Sequence, residues 1–350
     1  MDRTKGYRVM DDVRQTVCGR TFAAGRGVLL AAAVAAGTMA AGGADAQTRL
    51  RISTPAPPTE ILSQSMDVLK AVLEQTAPGA FDVSTHPGGT LFKQGTEIPA
   101  MQRGNLEMNT LATFEVAQFV DSLSAFNAGY LFDDYDHMKR VWGGPIGDSY
   151  KETVLKEMGV YILADCYLGT REVAINEVRN VKTPADLAGL KLRMPGAPDF
   201  LLLGKGLGVD PTPMAMSEVY LSMKSGTIDG QDNPLTITRA AKLDEVTKEV
   251  VMTDHMVQNV FYAIAAPVWD GLEPALQEKL EAAASAACAW NDRMRLADEA
   301  RQEKELAEMG IVISHPDLEA FRTHMAETYE AEGRAKDWPA EIVDAIKAAR

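Results

Sequence analysis

The stretch that most constrains this chain is 273–310, a run of alanines, leucines and mixed charges with no glycine before Gly310 and a single proline, Pro274, in what would be its first turn. Proline is tolerated where a helix begins and breaks helices elsewhere, so the segment reads as one uninterrupted helix. At 1.5 Å of rise per residue it spans ~55 Å, more than one ordinary domain is wide. Its apolar positions Leu276, Leu280, Ala283, Ala287, Met294, Ala297 and Leu306 drift too irregularly for heptads, which disfavours a coiled coil. A helix lying across two domains satisfies both observations, and 350 residues with 46% hydrophobic content can supply two cores.

Ahead of that helix, strand-like and helix-like stretches alternate. Leu50, Arg51, Ile52 and Ser53 form a short strand; Thr59 opens a helix with Ile61, Leu62, Leu69, Val72 and Leu73 on one face. The rhythm continues with strands at 81–86 and 106–112, helices near 96–103 and 136–142, a buried strand at 159–166, a short helix at 185–190 and a strand at 191–194 that stops at Pro195. Such alternation predicts an α/β fold with a mostly parallel sheet. After Asp317 the chain reads as one or two more charged amphipathic helices.

The first 46 residues are of another kind. Basic residues up to Arg26 precede a small and apolar run at 28–41, followed by Ala44, Asp45 and Ala46 in a small-x-small pattern. This is the order of a cleavable export signal, with a mature start near Gln47; the apolar run is short of the ~20 residues that a membrane span needs. Export leaves Cys166 and Cys288, without a CxxC partner or nearby histidines. They are expected as two buried free thiols, because large cored domains need no staple.

The formal charge of −14 argues against nucleic acid, whose affinity comes from lysine and arginine on phosphates. It would also repel an anionic ligand at long range, so an anion must be caught by specific local cations. There is no GxSxG, P-loop, HExxH or calcium-loop pattern, and GKGLG at 204–208 lacks the spacing of a dinucleotide fingerprint and reads as a helix end. The five histidines are scattered, with no pair at metal-ligand spacing. No catalytic residue, metal or cofactor is expected.

Two segments remain, GTRE at 169–172 and LKLRMPG at 190–196, each of which sets an arginine at a strand end, Arg171 and Arg193. A planar guanidinium offers two parallel donors that match a carboxylate. For a single arginine taken at random, an interdomain ion pair is the commoner explanation.

Here the wider pattern intervenes. GTRE, then VKTPADLAGLKLRMPGAP, then GVDPTPMAMSEVYLSMKSGTIDGQDNP, in that order and spacing, resemble the solute-binding proteins of tripartite ATP-independent periplasmic (TRAP) transporters. Weaker agreement, in PGGTLFKQGTEIPAMQRGNLEM at 87–108, the long helix and GIVISHPD at 310–317, extends the resemblance over roughly 47–329. It implies a two-domain periplasmic binding-protein fold with hinge strands, one domain of 47–168 plus about 259–298 and another of 169–258 plus about 299–350, and a ligand cleft between them. It implies that Arg193 makes the main two-pronged pair with a ligand carboxylate, that Arg171 contacts the same carboxylate, that Asn233 hydrogen-bonds the ligand beside Asp232, and that Glu115 meets ligand hydroxyls from the opposite domain.

Against the sialic-acid-binding members, this chain has Pro55 for an asparagine, Gln118 for an arginine, Met216 for a phenylalanine and Gly196 for an asparagine. A kept clamp with a changed distal set, Met216 and Gly196 included, implies a smaller acid: a sugar acid, or a short hydroxy, oxo or dicarboxylic acid. The partners implied are that acid and the membrane permease, with the binding protein a periplasmic monomer. An enzyme using Glu115 as base and a protein presenting its ligand to a sensor are the other classes weighed.

Overall fold

The computed structural model describes residues 47–350; the expected export segment lies outside them. Nine strands make one sheet: β1 (Thr48–Ser53), β2 (Phe81–His86), β3 (Met108–Ala112), β4 (Val160–Ile175), β5 (Lys191–Met194), β6 (Asp210–Pro213), β7 (Gly230–Asn233), β8 (Glu249–Ala265) and β9 (Val312–Ser314). Their order is β2-β1-β3-β8-β4-β7-β5-β6, with β9 also on β8. The helices are α1 (Ile61–Thr76), α2 (Glu97–Gln102), α3 (Thr113–Ala117), α4 (Tyr135–Trp142), α5 (Pro145–Met158), α6 (Pro198–Gly206), α7 (Val219–Lys224), α8 (Leu235–Ala240), α9 (Ala266–Asp270), α10 (Pro274–Glu308), α11 (Leu318–Ala331) and α12 (Ala340–Ala348). None is long and apolar enough to cross a membrane.

The sheet is mixed rather than simply parallel. Five strand pairings are parallel (β1 with β2 and β3, β5 with β6 and β7, β8 with β9), but the centre is antiparallel, because β4 pairs with β8 almost end to end. These two strands are far longer than a usual strand and have different neighbours at their two ends. Near Val160 and Ala265 they are flanked by β3; near Ile175 and Glu249 they are flanked by β7 and β9. Two half-sheets thus share one continuous central pair.

Both faces of that pair are covered. Along β8, Val260, Tyr262 and Ile264 join the apolar cluster of α1 and α10, while Phe261 and Ala263 join that of α3, α4, α5 and α6. Alternation along a strand sends successive side chains to opposite faces, so a strand covered on both sides is apolar throughout.

The β4–β8 ladder breaks in register where the two halves meet. Arg171 pairs with Met256 and Val173 with Val251, so β8 loops residues 252–255 out opposite the single residue Glu172. Asp254 there takes a left-handed φ of 44°, and its N–H donates to Glu172 Oε2 at 2.9 Å. An earlier shift lies between Tyr167 and Gly169. Gly169 has φ 123°, and a Cβ there would fall 2.6 Å from Pro234 Cβ and 2.7 Å from Glu299 Oε1, so only glycine fits.

The long helix forms as expected and packs on α1, β4, α8 and β9, thereby touching both half-sheets. Two of its seven named apolar positions face solvent, Met294 at 39% exposure and Ala297, and Leu276 is half-buried. In their place Asn291, Asp292 and Arg295 carry the buried face. Asn291 donates to the Tyr167 carbonyl, Asp292 accepts the Tyr167 N–H, and Glu299 accepts the Thr170 N–H, satisfying backbone that the register breaks leave unpaired. Arg295 is fully buried, pairing with Glu60 at the start of α1 and donating to Thr236 in α8.

The cysteines are not free thiols. Cys166 of β4 and Cys288 of α10 form a disulfide, their Cα atoms 4.5 Å apart. The expectation failed because it weighed need for a staple, whereas packing β4 directly on α10 sets the two side chains face to face in one core layer.

Candidate functional site

A cavity of about 60 Å³ lies where the half-sheets face each other. From one side it is walled by Thr54, Pro55, Ala56 and Pro57 after β1, Gln94, Thr110 of β3, and Phe114 and Glu115 of α3; from the other by Arg193, Pro195, Met216, Asn233 and Ile237. Leu168, Arg171 and Val260 of the shared central strands form its back. Five of the seven residues singled out from sequence therefore meet here: Arg193, Arg171, Asn233, Glu115 and Met216.

Arg193 stands on β5, between Thr212 of β6 and Gln231 of β7, and is 1% exposed. Its Nε donates to the Met214 carbonyl at 2.8 Å and its Nη2 to Gln94 Oε1 at 3.0 Å. Among the described residues no carboxylate comes within ion-pair distance of it. Burial pulls the guanidinium down to about 10, against the attraction of Asp232 and with some repulsion from Arg171, and it stays charged at neutral pH. A buried cation without a counter-ion is costly, and the arrangement becomes favourable when an anion arrives.

Arg171 differs. It lies in mid-strand, not at a strand end, because β4 runs on to Ile175. Its Nε donates to Asp232 Oδ2 at 2.8 Å, Nη1 to Gln258 Oε1 at 2.8 Å, and Nη2 to the Asp232 carbonyl. Phe200 lies under it, 5.2 Å from Cζ to ring centroid. Burial alone would raise the Asp232 carboxyl, but Arg171 and His255 hold it well below the usual carboxylate range. Asp232 is thus not on the cavity wall; it neutralises Arg171 beneath it, with His255 Nε2 at 3.3 Å.

Asn233 closes β7 beside Glu172 of β4, its amide nitrogen donating to Gln231 Oε1 and lying 3.8 Å from Met216 Sδ. Arg171, Arg193 and Asn233 thus stand on three adjacent strands, β4, β5 and β7. Gly196 lies outside the cavity, in a neighbouring groove with Gln118 and Glu218, because the chain turns outward after Pro195.

Glu115, in the first turn of α3, is 3% exposed, and its Oε2 accepts the Ala112 N–H at 2.9 Å. Burial and the charge of Glu97 push it up to about 8; Glu97, itself 1% exposed, is pushed by burial to about 7.

Sequence reading missed Gln94. From the loop before α2 its amide oxygen accepts from Arg193 and also from the Met216 N–H at 3.0 Å, while adjacent Lys93 pairs with Glu218 at 2.6 Å. No local signal marks a loop glutamine as a bridge across a cleft. Thr54 and Thr110, whose hydroxyls bond each other at 2.7 Å on the cavity wall, were likewise invisible.

Residues 52–335 match the model of the bacterial extracellular solute-binding proteins, family 7. The sialic acid-binding periplasmic protein SiaP of Vibrio cholerae is 28% identical over 83% of this chain and 90% of its own. The 2,3-diketo-L-gulonate-binding periplasmic protein YiaO of Escherichia coli is 30% identical over 71% and 76%. Among solved structures, a TRAP periplasmic solute-binding protein of Roseobacter denitrificans with bound 3-deoxy-D-manno-oct-2-ulosonic acid superposes with a TM-score of 0.83 at 39% identity, covering 87% of this chain and all of that one. Another, from a Polaromonas species and bound to D-erythronate, gives 0.81 at 27% identity over 86% and 99%. With one family model spanning most of the described residues and the same two-domain architecture in its structural neighbours, this chain belongs to family 7 of the bacterial extracellular solute-binding proteins, the periplasmic binding component of TRAP transporters.

Proposed function

We propose that the protein captures a sugar acid in the central cavity, holding its carboxylate on Arg193, and passes it unchanged to the transporter's membrane permease. The observation that carries this reading is the buried guanidinium of Arg193, which faces the cavity without a counter-ion. A carboxylate on its free edge would supply the missing charge, with Arg171 and Asn233 as neighbouring donors. A sugar acid is favoured by the 3-deoxy-octulosonic acid held by the Roseobacter neighbour, by the sialic acid and diketogulonate in the names of the curated relatives, and by the hydroxyl and amide groups of Thr54, Thr110 and Asn233 on the wall.

The two lobes in this reading are 47–168 with about 259–298, and 169–258 with about 299–350. They would close by bending at the register breaks of β4 and β8, with ligand contacts on both lobes shifting the population toward the closed form. Export through the N-terminal segment and action as a monomer belong to the same proposal.

A thermal-shift screen of sugar acids, short hydroxy and oxo acids and dicarboxylates tests it. A ligand at a hundred times its Kd adds ~2.7 kcal/mol of stability, a clear shift. Arg193→Ala should lose roughly 2 to 5 kcal/mol of binding. Wild-type affinity in that variant, or turnover of a bound acid, refutes the reading.

A further inference from the structure

A second cavity, of about 340 Å³, lies where the loop at 128–131 meets α11 and α12, and it shares no lining residue with the central one. That volume is within the range of small-molecule sites. It arises because α11 packs on α6 and the chain then turns back, so that α12 packs on α5. His137 Nε2 of α4 donates to the Ile346 carbonyl at 2.8 Å and Arg140 Nε to the Ala349 carbonyl at 2.9 Å, fastening the returning helix. One wall is therefore made by Trp338, Val343 and Lys347, which lie beyond residues 52–335, the span matched by the family model.

The floor is apolar. Leu131 and Met325 are buried in it, with Val343 and the rings of Tyr329 and Trp338, which meet edge to face with centroids 5.0 Å apart. No serine, threonine, asparagine or glutamine lines this cavity, whereas Thr54, Thr110 and Asn233 line the central one. Its exposed edge is cationic: Arg322, Lys347 and Arg350 belong to the lining and no acidic residue does, in a chain with a formal charge of −14. Arg350 is committed to Asp133, with Nε 3.1 Å from Oδ2. Among the described residues, Arg322 and Lys347 have no carboxylate within ion-pair distance. Arg322 instead lies over the Tyr130 ring, its Cζ 4.9 Å from the centroid. That ring is a fixed shelf, because the Tyr130 N–H donates to the His255 carbonyl at 2.9 Å and its Oη to the Thr253 carbonyl at 3.1 Å. The Nε1 of Trp338 is buried without an acceptor, a donor still to be satisfied.

We infer that this second cavity binds a small carboxylate with an apolar body, an aryl- or alkyl-substituted acid. The carboxylate lies between Arg322 and Lys347, where a guanidinium already held by a ring offers paired donors, and the body covers Leu131, Met325 and Val343. The inference does not depend on the proposed function.

Phenylacetate is the probe, read on the indole N–H resonances of the four tryptophans in ¹⁵N-labelled protein. The resonance lost in Trp338→Phe identifies that of Trp338. Phenylacetate should shift it saturably, with a Kd of about 1 mM or tighter, in the wild type and in Arg193→Ala alike. Combining Arg322→Gln with Lys347→Gln removes two exposed side chains that hold no ion pair, and should raise that Kd at least about tenfold. Neutral phenylacetamide and inorganic sulfate, the one without charge and the other without an apolar body, should leave the resonance in place. The absence of a saturable shift overturns the inference, as does an equal shift with either control, which would mean a nonspecific apolar surface or an adventitious ion only. An unchanged Kd in the double variant overturns it too, and so does loss of the shift in Arg193→Ala, which would put the probe in the central cavity.

Discussion

Gln94 and Arg193 meet across the cleft, the amide oxygen 3.0 Å from Nη2, so that a neutral acceptor from one half of the molecule occupies one prong of a guanidinium from the other. A carboxylate oxygen is a stronger acceptor for that prong than an amide. Gln94→Glu would deliver one from within the chain, satisfying Arg193 permanently. The expected outcome is a protein that melts higher without ligand and binds acids at least about a hundredfold more weakly, roughly 3 kcal/mol. Calorimetry and a melting curve on the same preparation check it, and undiminished binding would show that Gln94 does not compete for the ligand's place.

Lysine at 193 keeps the charge and loses the fork. Arg193→Lys should recover only part of the binding lost in Arg193→Ala, because a single ammonium cannot hold both carboxylate oxygens in plane. Titration of the three proteins with one acid orders them, and equal affinity for lysine and arginine would exclude a two-pronged contact.

The buried pair of Arg171 and Asp232 sets an acid limit on stability. Asp232 has its carboxyl held below the ordinary 3.8, so the folded state binds that proton less readily than the unfolded one. Its contribution is complete above about pH 4 and drains away as the pH falls further through the depressed value. Asp232→Asn should cost about 3 to 5 kcal/mol at neutral pH by stranding a buried guanidinium, and should flatten the loss of stability below pH 4. Urea midpoints measured from pH 7 downward on both proteins test this; parallel curves would assign acid sensitivity to other carboxyls.

The disulfide joins residues 122 apart in sequence. Closing a loop of that length restricts the unfolded chain, and removing the bond is expected to cost about 2 to 5 kcal/mol. Reduction should lower the melting temperature of the wild type and leave that of Cys166→Ala/Cys288→Ala unmoved. A wild type indifferent to reductant would mean that the bond does not form in solution.

The elements legible in the sequence were those whose signal is local. Lys191–Met194 ends where Pro195 cannot continue a strand, Phe81–His86 is bounded by turn residues, and α10 runs as far as its glycine-free composition allows. The ordered motifs at 169–233 were legible too, since order and spacing are properties of the chain itself. By contrast, β8 left no period to read, because both its faces are buried and its residues near 260–265 are apolar without alternation. Arg171 and Arg193 look alike in sequence, each read as an arginine at a strand end, yet one is neutralised by Asp232 and the other has no carboxylate within ion-pair distance.

That difference, the pairing of Cys166 with Cys288, the bridge from Gln94 and the burial of Glu115 on the cavity wall were decided only by the tertiary structure. The sequence by itself determined the long helix, the α/β alternation and the family motifs, because each depends on residues within a few turns or a fixed spacing of one another. The polar groups on the cavity wall come from β3, β4, β5 and β7, from Thr54 after β1, from Gln94 before α2 and from Glu115 of α3, and what a buried guanidinium or carboxyl becomes depends on which groups the fold places within about 4 Å of it.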